Sequence, residues 1–508
     1  MPPKLDPESG AIIPSPGQWP VPPHEDQPLR EDRLWIDGCF DFFHHGHTGV
    51  MLQSRRLGNE LLVGVHSDED IRANKGPTVM NLEERVAAVE ACRFSTGVVP
   101  HAPYVTSIPW ISHYGCQYVT HGDDITSDAD GNDCYRFVKK AGRMKIVPRT
   151  PGISTTDLVG RMLLCTKGHF IKNLVDSLEG REGKGSEDER AQRGEQMRTR
   201  IREYAAAPNG RDSFVEIYSF KPKHRPIERR RSSVRSGRAN SESSSDQQAS
   251  NHRAHDSGKG TFTSLVSGVP PKPGQRIVYV DGGFDLFSSG HIAFLQTVSA
   301  LEEAHGRQRG WFDESAKQQR IQDFGSDYSP AFVVAGIHDD EVINYHKGLN
   351  YPIMNIFERG LCVVQCAYIH GVVFSAPYIP SKTYLCTLPF LTSNSPQGTP
   401  DAVYHGPTSF MPSALDSTTD PYADSKELGI FQETPSHRFQ DVNSAQIVQR
   451  ILENRQSYEE RQRKKGEKGV GEATKRREEM VAEEKVRRES LKIKRQESLK
   501  EVERQFGA

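Results

Sequence analysis

The chain lacks metal-spaced cysteines, long apolar runs and an excess of either charge, and each absence narrows what it can be. Its cysteines, at 39, 92, 116, 134, 165, 362, 366 and 386, form neither a CxxC pair nor a dense cluster. They read as scattered reduced residues, which excludes a disulfide framework and a structural zinc site. No apolar stretch approaches the ~18 residues needed to span a bilayer, so no transmembrane segment is expected. The proline-rich N-terminus has no basic-then-apolar signal pattern, which points to the cytoplasm. Net charge is −2, so nothing global argues for a nucleic-acid partner. Hydrophobic residues make up only 35% of the 508, which implies solvated stretches beside domains with ordinary cores.

What is present concentrates first at Leu34–Thr48, LWIDGCFDFFHHGHT. A short apolar run leads through Asp37, Gly38, Phe40 and Asp41 to His44, Gly46 and His47 at an expected helix start. A strand, tight turn and helix N-terminus in that order present unpaired N–H groups and the positive end of the helix dipole, a ready site for phosphate. A second motif, Arg149–Thr156 (RTPGISTT), suits a loop wrapped around a polyphosphate. Arg149 supplies a fork of donors, Thr150, Ser154, Thr155 and Thr156 supply hydroxyls, and Gly152 permits close backbone approach.

Between the motifs the chain reads as βαβ: strands at Glu60–His66, Val98–Tyr104, Tyr118–His121 and Met144–Val147, and helices at 50–57 and Met80–Arg93. This spacing predicts a parallel sheet with the ligand at the strands' carboxyl ends. Thr156 or Asp157 is expected to cap the helix after the second motif. Residues 1–32 read as a disordered leader, 33–170 as the first domain, and 171–272 as a largely disordered linker. The sequence then repeats. Ile277–Leu295 (IVYVDGGFDLFSSGHIAFL) echoes the opening motif, and Phe332–Asp339, Lys347–Arg359 and Val403–Gly406 follow in the same order. Residues 273–455 are therefore a second copy of one domain. Ser288 replaces His44 there, leaving only His291, and Glu433 is aligned with Arg149. That copy is expected to keep the fold without the chemistry. An insertion at 303–330 has no counterpart, and 456–508 reads as a solvated, mixed-charge helix without an apolar face.

The two motifs together resemble the cytidylyltransferase family, over 33–165 strongly and 275–455 more loosely. The resemblance implies an α/β architecture of two tandem Rossmann-like nucleotidyltransferase domains with parallel sheets, joined by the linker. It implies catalytic roles for His44, His47, Lys75 and Arg149. Nucleotide contacts are implied for Gly38, Phe40, Asp41, Gly46, Arg85, His121, Gly122, Asp123, Thr150, Gly152, Ser154, Thr155 and Thr156. No protein-held metal is implied, but Mg²⁺ is expected on the triphosphate of CTP. In this family a tandem repeat goes with phosphoethanolamine as the acceptor, whereas the choline branch carries one catalytic domain and an amphipathic membrane helix. Phosphocholine as acceptor, and an adenylyltransferase sharing the His-X-Gly-His motif, are the competing readings. The resemblance also implies a homodimer as one arrangement, and a cytoplasmic location with peripheral attachment at the endoplasmic reticulum as the alternative.

Overall fold

The computed structural model describes residues 4–223, 258–392, 395, 398–406, 420–461 and 463. A small hairpin, β1 (Lys4–Leu5) and β2 (Ile12–Ile13), precedes the first sheet. That sheet comprises β3 (Arg30–Gly38), β4 (Glu60–His66), β5 (Gly97–Ala102), β6 (Cys116–Gly122) and β7 (Met144–Val147), in the spatial order β5-β4-β3-β6-β7 with every pairing parallel. The order reverses between β3 and β6, so a crevice opens at their carboxyl ends. Helix α1 (His45–Arg55) follows β3, and α2 (Asp68–Asn74) and α3 (Leu82–Glu90) lie between β4 and β5.

The second sheet contains β8 (Glu216–Pro222), β9 (Gly260–Val266), β10 (Arg276–Gly282), β11 (Ala331–Ile337), β12 (Gly371–Phe374), β13 (Ala402–His405) and β14 (Phe431–Glu433). Its order, β14-β13-β10-β11-β12-β8-β9, repeats the first sheet from β12 to β14 and adds two strands at one edge. The duplication read in the sequence is thus a duplication of topology. The insertion at 303–330 lengthens the helix Ser289–Gln308 and adds the helix Glu314–Phe324.

Two sequence expectations are corrected. The leader is folded from residue 4: Trp19 is buried, stacked on His113 with ring centroids 3.5 Å apart and set edge-on to Trp110. One large aromatic in a proline-rich stretch supplies the burial that the rest of that stretch lacks. The linker is folded over much of its length, where Leu174–Leu178 and Glu187–Tyr204 are helices and β8 pairs in parallel with β12. Helix Glu187–Tyr204 buries only Gly194, Ile201 and Tyr204, too sparse an apolar face to show as periodicity. Residues 224–257, which include the arginine- and serine-rich run, and 464–508 of the charged tail lie outside the described residues.

The copies pack against each other as a pseudo-twofold pair. Cys92 and Cys366, which occupy equivalent positions, meet in an antiparallel bridge, with Arg93 N donating to Gln365 O and Ala367 N to Ala91 O, both at 2.9 Å. The same exchange recurs further out. Glu84, in the capping box of α3, accepts from Arg450 at 2.8 Å, and its counterpart Glu358 accepts from Arg161 at 2.7 Å. Apolar contacts run without interruption from Leu34 and Val63 to Val278 and Ile337.

Glu358 is 6% exposed and Arg161 11%, and Glu358→Ala would leave Arg161 only Asp157 and the carbonyl of Ile353 as partners. Loss of hydrogen bonds to a charged group should lower stability by about 1.5–3 kcal/mol, read as a fall in the melting temperature. Arg307→Ala, which breaks a pair whose side chains are 61% and 48% exposed, should leave melting nearly unchanged.

Candidate active site

The turn between β3 and α1 is tight enough that Phe40 and Phe42 take left-handed backbone, with φ 56° and 49°. Phe284 and Leu286 do the same in the second copy, at 48° and 54°, so the strain belongs to the fold rather than to the chemistry. The turn ends in a capping box built from two histidines. His44 Nδ1 accepts from Gly46 N at 3.0 Å, and His47 Nδ1 accepts from His44 N at 3.3 Å. An imidazole whose Nδ1 accepts carries its proton on Nε2. Both rings, stacked 4.0 Å apart, therefore hold their Nε2–H groups as donors at the helix N-terminus. Gly46 is required here, because a Cβ would lie 2.8 Å from the His44 ring and 2.9 Å from Ile153.

These histidines face a cavity of about 600 Å³. Its wall includes Gly38, Phe40, Asp41, Lys75, His121, Gly122, Arg149, Thr150, Ser154, Thr155 and Thr156, so the two motifs and the lysine loop share one hollow. Asp41 ties two parts of it together: its carboxylate accepts from the backbone N–H of Val79 and Met80, joining the histidine turn to the loop after Lys75. Asp37 is buried beneath, accepting from Trp35 Nε1, Thr106 Oγ1 and Tyr135 OH at 2.9, 2.7 and 2.7 Å. His121 Nδ1 bonds the carbonyl of Gly122 at 3.0 Å, leaving Nε2 an acceptor. Burial pushes its pKa down. Thr155 Oγ1 donates to Asp41 O at 3.2 Å.

Several expected residues are placed differently. Arg85 is fully buried beneath the cavity and bonds the carbonyls of Met80, Cys39 and His66 and the carboxylate of Asp68. Arg359 makes the matching bonds, to Met354, Gly283, His338 and Asp340, in the copy without the motifs. Arg85 is thus a strut of the fold rather than a phosphate ligand. Asp123 and Gly152 stand outside the lining: Asp123 accepts from Arg149 N, and Gly152 turns the loop at φ 91°. Asp124 lines the cavity instead and lies 3.7 Å from the Arg149 guanidinium. The cap of the helix Thr155–Leu164 is Ser154, which accepts from Asp157 N at 3.1 Å, and not Thr156 or Asp157.

In the second copy, strand register pairs His121 with Ile146 and its counterpart His405 with Glu433. Three residues on from each, Arg149 corresponds to Ser436, which corrects the alignment with Glu433. Arg438, two residues further on, is turned toward Glu83 of the first copy, 3.9 Å away. Ser288 Oγ donates to Val442 O at 2.7 Å, and Lys347 Nζ donates to Ser444 Oγ at 3.0 Å. That last bond closes the gap that lies open between Lys75 and Thr155. Burial pushes the His291 pKa down to about 3.

Sequence reasoning missed Ser457, Tyr458, Glu460 and Arg461, which line the cavity from the far end of the chain. One signal was there: Tyr458 is the only aromatic between Phe439 and Phe506.

A parallel sheet with paired Nε2–H donors at a helix N-terminus, facing a lysine and an arginine-hydroxyl loop, defines a nucleotidyltransferase of the cytidylyltransferase-like class. A family profile described as "Cytidylyltransferase-like" matches residues 35–161. Ethanolamine-phosphate cytidylyltransferase of Mus musculus is 37% identical over 450 residues, 88% of this chain and 92% of its own length. The protein of that name from Dictyostelium discoideum is 33% identical, over 86% of this chain and 95% of its own length. Choline-phosphate cytidylyltransferase A of Homo sapiens is 39% identical over 147 residues, which is 28% of this chain and 40% of that protein. The chain belongs to the ethanolamine-phosphate cytidylyltransferase family.

Two substitutions separate site from scaffold. His47→Ala removes one preorganised donor, typically worth ~2.7–4 kcal/mol, and should cut turnover at least about a hundredfold, whereas Ser288→Ala should leave it unchanged. Arg85→Ala and Arg359→Ala should both lower the melting temperature, because each strands buried carbonyls.

Proposed function

We propose that the first copy transfers CMP from CTP to phosphoethanolamine, forming CDP-ethanolamine and releasing pyrophosphate. The observation that carries this reading is the pair of Nε2–H imidazoles held by backbone bonds opposite Lys75 and the Arg149–Thr156 loop. The reaction belongs to phosphatidylethanolamine synthesis.

An oxygen of the phosphomonoester attacks the α-phosphorus of CTP in line. The bond from that phosphorus to the α,β-bridging oxygen breaks, and its electron pair leaves with pyrophosphate. A phosphomonoester has a second pKa of ~6, so the attacking oxygen needs no base. The obstacle is the repulsion between anions, and the residues act by position and charge. His44 and His47 donate to α- and β-phosphate oxygens, and the stabilisation grows as charge passes to the leaving group. Lys75 draws in the acceptor phosphate, and Arg149 with Thr155 and Thr156 holds the triphosphate. At the rim, His121 Nε2 and Asp124 are acceptors suited to the exocyclic amine of cytosine.

Mg²⁺ would come with the nucleotide and would neutralise phosphate charge. Among the described residues no group of three His, Cys, Asp or Glu gathers as an ion cage, and the Asp41 and Asp37 carboxylates are held by protein donors. An ion there would be carried by phosphate oxygens and water, with Asp124 and Glu460 the other carboxylates on the lining. No helix among the described residues is long and apolar enough to cross a membrane, and we place the enzyme in the cytoplasm.

The test is turnover of the whole chain. Pyrophosphate release should require CTP rather than ATP, and phosphoethanolamine should be preferred to phosphocholine. Equal use of the two phosphoamines would overturn the assignment of the acceptor.

A further inference from the structure

The loop after Lys75 is gripped from both sides. Its N–H groups at Val79 and Met80 go to Asp41, while its three successive carbonyls at Pro77, Thr78 and Val79 go to the chain's far end. Arg461 Nη1 donates to Pro77 O, Tyr458 OH to Thr78 O at 3.1 Å, and Arg450 Nη1 to Val79 O at 3.4 Å. Those donors belong to the second copy and its extension. The reverse crossing exists too: His169, in the chain leaving the first copy, bonds Pro352 O at 2.9 Å, and Pro352 is the counterpart of Thr78. The pseudo-twofold thus places the end of each copy over the other's lysine loop.

The first of these crossings reaches the open cavity. Arg461 Nη1 also lies 3.2 Å from Asp41 Oδ2, with its side chain 16% exposed. Its Nε and Nη2 donate to no acceptor among the described residues, and Arg461 lines the cavity with Lys75, His44 and His47. A planar guanidinium held by one nitrogen, with further donors toward an anion site, is suited to phosphate. The triphosphate has His44, His47 and the Arg149 loop. The acceptor, a second dianion, needs cations of its own, and those of the lining at this end are Arg72, Lys75 and Arg461, of which Arg461 comes from the second copy's extension.

We propose that Arg461, supplied by the second copy's extension, binds the phosphate of the acceptor in the first copy's site, and that Arg461 and Tyr458 position the Lys75 loop. The degenerate copy thereby contributes directly to the reaction. This rests on the reading of the reaction given above.

The experiment uses the full chain with Arg461→Ala, Arg461→Gln, Arg461→Lys and Tyr458→Phe, each checked by thermal melting. With CTP saturating, Arg461→Ala and Arg461→Gln should raise KM for phosphoethanolamine about tenfold or more, as loss of a hydrogen bond to a charged group implies, with KM for CTP little changed. Arg461→Lys should recover part of that loss, because it keeps the charge but not the fork. Tyr458→Phe should lower kcat more than it raises KM. Arg455→Ala, which removes an exposed pair with Glu459, serves as the unaffected control. Constants within about twofold of wild type for Arg461→Gln would overturn the proposal. So would increased turnover, which would make the segment a block on the site, or a rise confined to KM for CTP. Binding of inorganic phosphate, followed by calorimetry, needs no turnover and should weaken in Arg461→Gln. A wild type that releases no pyrophosphate sinks the reaction as read, and unweakened phosphate binding sinks the role of Arg461.

Discussion

Arg93 lies buried between the two copies, and the geometry of everything that crosses their boundary depends on it. Its guanidinium donates to the carbonyls of Val364, Cys366 and Ile369, and its backbone N–H to Gln365 O. Burial pushes its pKa down to about 10, so it stays charged at neutral pH. A desolvated cation met by carbonyl dipoles and by the face of Phe214, 4.9 Å away, is most stable where every donor finds its acceptor. The antiparallel bridge of Cys92 and Cys366 sits beside it. Once that register is set, Arg161 meets Glu358 and Arg450 meets Glu84. One apolar cluster runs across the same boundary and includes residues of both sheets.

The sheets, the turn and the cavity were legible because each has a local signature. Glu60–His66 is buried on both faces and reads as a continuous apolar run, and His44, Gly46 and His47 sit where a strand gives way to a helix. The repeat was legible because the same apolar pattern recurs around Ser288 and His291. What escaped was whatever depends on a distant partner. Trp19 has no meaning until His113 is beneath it, and β8 until β12 is beside it. Arg85 has the composition of a phosphate ligand and the position of a strut, and only its buried carbonyl partners distinguish the two. Tyr458 and Arg461 stand in a charge run whose solvated face is all that local spacing reveals.

The second copy shows which features serve the fold and which serve chemistry. Both copies keep the left-handed turn, the aspartate that receives two loop N–H groups, and the buried arginine. These are the parts that a strand, sharp turn and helix need in order to coexist. The second imidazole, the signature loop and the open space beneath the lysine survive in one copy only. Lys347 has turned onto Ser444 where Lys75 faces a cavity.

The crossing of the C-terminal segment onto Pro77 and Thr78 bears on where the chain can be divided. Arg450, Tyr458 and Arg461 bond the loop after Lys75 directly, from nearly four hundred residues downstream. A cut between the two copies would take three carbonyl partners from that loop, and a first half made alone would have to hold Lys75 without them.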